Sequence, residues 1–327
     1  MGNIARGESG YLFFTMKYTK PVYSTEKHIE LLKNRGLTFL DEDRAKRYLS
    51  TIGYYRLSAY FLPFQAVKDR FRPKTTFNNI LELYIFDRKL RVQVMDALER
   101  IEVAIRTVLS DTVSSKYNDP HWYLKKELFC DSFVNASSPD QKSEYEKFVN
   151  KIIFHTGKKN WNHGNNSSCR HYYTKYKKPE LPPSWMVVEV LPMGTWSVLY
   201  SNIKVNKVKQ QVSKFFKFSV NDFAGWVHAL TLIRNCCAHH NRLWNHNFPP
   251  KAKNIEKYTH EGIPLNTPYV NLALIQAFLS SFTRTPTWSE RLYELLQSSP
   301  LDIHSTMHFP PNWHNLPFWG INSCKTT

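Results

Sequence analysis

The sequence has few cysteines, no CxxC pair, no long apolar run and a shortage of acids. Its five cysteines, Cys130, Cys169, Cys236, Cys237 and Cys324, are odd in number. A disulfide framework is therefore not expected, which fits a reducing compartment. No stretch approaches the ~18 apolar residues of a membrane span. The N-terminus lacks the apolar run of a secretory signal. Arg6 stands where a myristoylation signal wants Ser or Thr. A soluble, cytoplasmic protein with no membrane attachment is expected. Internal repeats and sustained Val/Ile/Thr alternation are absent too, so the chain reads as all-α.

What is present is a core and a charge. The 327 residues are 42% hydrophobic and 15% aromatic, too apolar for general disorder. Lys and Arg number 44 against 27 Asp and Glu, a formal net charge of +17. Such an excess points to a polyanionic partner, nucleic acid before a membrane surface.

Residues 1–15 show no amphipathic pattern and read as an extension. An N-terminal helical portion over 16–78 begins with two short helices within 26–50, divided by Gly36. The aromatic run Ile52–Tyr60 fits either a strand or a packed helix. The clearest helix covers about 79–110, where Leu90, Val94, Leu98, Ile101, Ile105 and Val108 form one face. Glu102 and Arg106 lie four apart on its flank and can pair. Asn118-Asp119-Pro120 breaks this pattern. Further helices are expected over 184–203, kinked at Pro192-Met193-Gly194, around Phe223–Ile233, and over about 270–296. The main helical body thus spans 79–300, with an insertion at about 117–180 and an aromatic, Pro-rich closing segment at 301–327.

Two stretches are free of acids. Residues 151–178 carry Lys151, Lys158, Lys159, Arg170, Lys175, Lys177 and Lys178, with Trp161, Tyr172, Tyr173 and Tyr176 interleaved. This part reads as a long, partly ordered insertion. Lys204, Lys207, Lys209, Lys214 and Lys217 follow on a basic helix. Both stretches suit RNA backbone contact, with Trp161, Tyr172, Tyr173 and Tyr176 as stacking platforms. The plainer reading is a solvated charged face.

The most informative run is Arg234-Asn235-Cys236-Cys237-Ala238-His239-His240-Asn241-Arg242-Leu243-Trp244-Asn245. RNA cleavage needs a proton taken from the 2′-hydroxyl and one given to the leaving 5′-oxygen. Histidine, with an unperturbed pKa of about 6.5, can do both. Arginine can hold the extra negative charge on phosphorus. No metal or cofactor is needed, because the nucleophile belongs to the RNA, and that group restricts the substrate to RNA. Positions five apart on a helix differ by about 140°. Arg234 and His239 therefore reach one phosphate only if the helix ends or distorts, or if two copies face each other. Asn235 shares a face with His239 and could orient it. The plainer readings are that Arg234 pairs with Glu189 or Glu102 and that His239 caps a helix C-terminus. Zinc on His163, Cys169 and His171, or on His239, His240 and His246, is a further alternative, although neither set has the paired spacing of a structural site.

The same run resembles the signature of the AbiD/AbiF-type abortive-infection proteins of bacteria, within the HEPN superfamily of α-helical ribonucleases. Met16–Pro21, Ile52–Tyr60, Leu98–Arg106, Pro183–Gly194 and Phe309–Trp313 resemble further blocks of that family. Ala59 and His308 depart from it, each standing where Gly is usual. The resemblance implies a HEPN-like four-helix bundle with an N-terminal helical addition and a basic insertion. It implies a metal-independent endoribonuclease with Arg234 and His239 as its site. Asn235 and His240 are counted with that site as neighbours, and Glu102, Arg106 and Glu189 read either as support for it or as a buried ionic network. It also implies a homodimer with a shared site, and control by a noncoding RNA or an antitoxin. A noncatalytic module that holds a structured RNA is the alternative.

Overall fold

The computed structural model describes residues 4–6, 12–14, 19, 21–138, 140–159, 167–249, 252–284 and 287–321. Trp161, His163, Cys324 and most of the Met16–Pro21 block lie outside these. Helix accounts for 65% of the chain and strand for 3%, so the fold is all-α. Among the described residues the strands form two short antiparallel hairpins. The first pairs β1 (Ile4–Arg6) with β2 (Leu12–Phe14), inside the stretch read as a featureless extension. The second pairs β3 (Gln65–Val67) with β4 (Arg70–Phe71). Its turn places Asp69 at φ 64°, a left-handed conformation that Asp tolerates through its short polar side chain.

The chain divides into two compact units, 1–84 and 85–327. The boundary lies a few residues beyond the expected 78/79. In the first unit, α1 (Thr25–Asn34) and α2 (Glu42–Ile52) are capped by Ser24 and Asp41, whose side chains accept from Lys27 N–H and Arg44 N–H. Each cap satisfies a backbone donor that the helix cannot. The Ile52–Tyr60 run is helical, as α3 (Tyr54–Ser58), not a strand. Leu32, Ala45, Leu49 and Leu57 fill the core of this unit.

Helix α4 (Phe77–Tyr117) contains the unit boundary. It outruns the expected end by a full turn or more. It stops where Asn118 takes φ 47° and Asp119 N–H reaches back to Ser114 O at 3.1 Å. The insertion that follows has its own aromatic core. Helices α5 (Asp131–Val134), α6 (Glu144–His155) and α7 (Ser167–Lys175) enclose Trp122, Tyr123, Phe129, Phe133, Tyr145 and Phe148. Ser143 and Glu146 form a capping box at the start of α6.

Pro192 splits the next helical run into α8 (Ser184–Val190) and α9 (Met193–Asn202). Leu191 before it is extended, with ψ 140°, because the proline ring disfavours helical backbone at the preceding residue. After α10 (Asn206–Phe215) comes α11 (Val220–Ala238), with Ser219 as N-cap. The expected helix over 270–296 is two helices, α12 (Pro268–Phe282) and α13 (Trp288–Gln297), separated where the sequence carries Pro286. A short α14 (Ile303–Met307) follows.

Helix α12 is buried on every face from Pro268 to Leu279 and forms the centre of this unit. Helix α11 packs between α9 and α12. A Cβ at Gly194 would come within 3.2 Å of Thr231 Cγ2, so glycine allows α9 and α11 to cross closely. The closing segment is packed, with Trp313 and Trp319 fully buried beside Tyr269 and Phe309. Among the described residues no helix is long and apolar enough to cross a membrane.

Candidate functional site at the end of helix 11

Helix α11 is amphipathic until its last turn, where Arg234, Asn235 and His239 leave the core. The helix ends in a Schellman motif. His239 is the C-cap residue, His240 takes φ 58°, and Asn241 N–H bonds Cys236 O at 2.9 Å. His240 N–H bonds Cys237 O at 3.0 Å. Glycine usually holds the left-handed position of this motif, and a histidine there is uncommon.

The His239 Cβ is placed before the chain turns, so the helical angle between it and Arg234 persists. Arg234 is part-buried, with its Nε 3.6 Å from Glu102 Oε2. Its Nη1 lies 3.5 Å from Asn235 Oδ1. Asn235 and His239 are both exposed and, four apart, share a face. The His239 ring makes no hydrogen bond or ion pair among the described residues. The guanidinium thus has one side against a buried carboxylate and the other toward the exposed face that carries the imidazole.

Glu102 is buried and also pairs with Arg106, as their spacing predicts. Arg106 Nη2 donates to Leu191 O at 2.8 Å. That carbonyl is the one released from the helix by Pro192. A proline in the sequence therefore leads, through a broken helix, to the anchoring of Arg106, then of Glu102, then of Arg234. Of the two carboxylates considered for Arg234, Glu102 is the one it meets. Glu189 is exposed on α8 and has no ion pair among the described residues.

A second buried pair was not foreseen. Asp87, fully buried on α4, accepts Leu243 N–H at 3.2 Å and Trp244 N–H at 2.6 Å. Arg91, one turn on, is ion-paired to it and donates to Asn241 O at 3.3 Å. The two residues together fix the turn that follows His239 and His240. The signal available in the sequence was an Asp-x3-Arg step on the apolar helix of the Leu90–Val108 pattern. A charged pair there must be buried, and buried charges need partners.

The cysteines of the motif are inert as nucleophiles. Burial pushes the Cys236 thiol up to about 11 and raises Cys237 further. His246 is half-buried, its ring 4.4 Å from that of Phe248, and burial and then Arg242 lower its pKa. Among the described residues no group of three or more His, Cys, Asp or Glu side chains converges. Cys169 is buried whereas His171 is exposed, so these two residues face different surroundings.

The proposed RNA-contact residues divide into two kinds. Lys159, Lys175, Lys177, Lys178, Lys207, Lys214 and Lys217 are exposed, as is Arg170. Lys158 and Lys204 carry ion pairs to Glu180 and Asp131, and part-exposed Lys209 donates to Ser201 O. Tyr172 and Tyr173 are a correction. Tyr172 is only 5% exposed and donates to Pro179 O, and Tyr173 is hydrogen-bonded to Thr156. Their ring faces serve the insertion's own packing and are not open stacking platforms. Tyr176 is 46% exposed, with Lys175 Nζ 5.3 Å from its ring centre.

The model of one protein family, described as Abi-like protein, matches residues 47–245. The match covers more than half of the chain and ends at the last residue of the Arg234–Asn245 run. The Met16–Pro21 and Phe309–Trp313 blocks fall outside it. No curated protein and no solved structure matches.

Proposed function

The chain belongs to the Abi-like protein family, and from that membership we propose an abortive-infection ribonuclease that cuts RNA without a metal through Arg234 and His239. The observation that carries this reading is the end of α11. There a guanidinium anchored by buried Glu102 adjoins the exposed face bearing an unpartnered imidazole.

The reaction uses these groups as follows. A neutral imidazole accepts the 2′-hydroxyl proton as the 2′-oxygen bonds to phosphorus. Arg234 holds the non-bridging oxygens while negative charge builds. The bond from phosphorus to the 5′-oxygen breaks, and a protonated imidazole supplies that oxygen with its proton. The products are a 2′,3′-cyclic phosphate and a 5′-hydroxyl. A second copy of the chain, facing the first across α11, overcomes the ~140° between the two side chains on one helix and provides the second imidazole. Asn235 and His240 adjoin the site in each copy. The setting is the bacterial cytoplasm, with the exposed lysines as the RNA-contact surface and a noncoding RNA or an antitoxin as restraint.

Purified protein in EDTA should cut RNA, and His239→Ala should abolish cutting with the fold intact. Equal activity in the variant would remove the assignment. A second reading is a noncatalytic protein that holds a structured RNA. It is favoured by the divergence of Arg234 and His239 within one chain and by the +17 charge. RNA binding without cutting, unchanged by His239→Ala, would select it.

A further inference from the structure

With Tyr172 and Tyr173 packed, the most exposed aromatic among the described residues of the insertion is one its composition did not single out. Phe154, near the end of α6, is 79% exposed. An aromatic ring left in water forgoes the burial it would gain inside. Asn150, Ile153, Phe154 and Gly157 recur along one face of the helix and the turn after it. With Lys142 and Lys159 they line an open pocket of about 470 Å³, within the ~300–1,000 Å³ of small-ligand sites.

Both charged residues that line the pocket, Lys142 and Lys159, are basic. Glu144 is answered by Lys147, and Glu146 is held in the capping box with Ser143. Lys142, Lys151 and Lys159 have no ion pair among the described residues. From Lys142 to Lys178 no other acid occurs in the sequence. The pocket thus joins an open aromatic face, an amide with both donor and acceptor, and two cations.

We propose that this pocket holds one unpaired nucleotide of a single-stranded RNA. The base stacks on Phe154 against Ile153, Asn150 meets the base edge, and Lys142 and Lys159 meet the flanking phosphates. A peptide of acidic residues alone would use the lysines but brings no flat ring to cover Phe154. The inference rests on RNA as the partner in the reading above, not on cleavage.

The test measures binding with the full-length His239→Ala protein in EDTA, so that cutting does not enter. The probes are a short unstructured fluorescein-labelled RNA strand and the same sequence as a duplex. Phe154→Ala should weaken single-strand binding by roughly 5- to 150-fold, the loss of one base stack. It should leave duplex binding and the salt slope unchanged, and Phe154→Trp should retain affinity. Replacing Lys142 and Lys159 should flatten the salt dependence by about 0.7 per lysine. No binding of the strand, no effect of Phe154→Ala, or equal loss on strand and duplex would overturn the proposal. So would a poly-glutamate peptide whose binding depends equally on Phe154. Absence of RNA cutting by the unmutated protein would remove the catalytic reading alone and leave these binding results standing.

Discussion

Asp87→Ala is the substitution for which the structure makes the sharpest demand. The carboxylate is fully buried, accepts two backbone N–H groups of the turn after α11, and neutralises buried Arg91. Removing it strands a charge and two donors at once. Breaking a buried ion pair from one side costs about 3–5 kcal/mol. Two unpaired buried N–H groups would add about 1–3 kcal/mol each if nothing relaxed. Because the turn can shift toward water once released, a net loss of about 4 kcal/mol is expected, near the middle of the ion-pair range. The assay is urea denaturation followed by circular dichroism, with a lower midpoint and an unchanged slope. Asp87→Ala/Arg91→Met should recover about 1–3 kcal/mol, the part due to the stranded guanidinium. A loss below about 1 kcal/mol in Asp87→Ala, within the reach of an ordinary hydrogen bond, would refute the reading of this pair as the turn's anchor.

Three further outcomes follow from the same geometry. Glu102→Ala should cost about 3 kcal/mol, the low end for a broken buried pair because Arg234 retains some solvent, and should lower RNA cutting more than Glu189→Ala does. The pKa values of His28, His121 and His246 are each lowered from 6.5, chiefly by burial. The unfolded chain then binds protons that the folded chain resists, so stability is full above about pH 6.5 and falls as pH drops through the lowered values. Thermal melts from pH 7.5 to 5 should show this decline, and His246→Gln should shallow it. Iodoacetamide at neutral pH should label Cys236 and Cys237 only after unfolding, read by peptide mass mapping, since burial keeps both thiols protonated.

Much of the fold is legible in local pattern. The three- and four-residue recurrence from Leu90 to Val108 marks α4, and Pro192 marks the division of α8 from α9. The placing of Arg234 and His239 at a helix end is equally readable, because the amphipathic Phe223–Ile233 pattern runs directly into the Arg234–Asn245 run. Asp87 is different. Its partners Leu243 and Trp244 lie 156 and 157 positions away and offer backbone N–H groups that no side-chain pattern reports. The insertion misled for a related reason. Tyr172 and Tyr173 resemble an exposed binding strip in composition, but they pack on each other and are hydrogen-bonded to Pro179 O and Thr156. Which aromatics are left outside depends on that packing; among the described residues of the insertion they include Phe154 and Tyr176.

In the proposed reaction the RNA's own 2′-hydroxyl is the nucleophile, served by Arg234 and His239. The decisive experiment is sequencing and end-chemistry of RNA cut by the purified protein in EDTA. The cut RNA should carry 2′,3′-cyclic phosphate and 5′-hydroxyl ends, with no cutting when a single 2′-deoxy residue replaces the mapped cleavage position and none by His239→Ala. Ends bearing a 3′-hydroxyl, or cutting at the 2′-deoxy position, would contradict it.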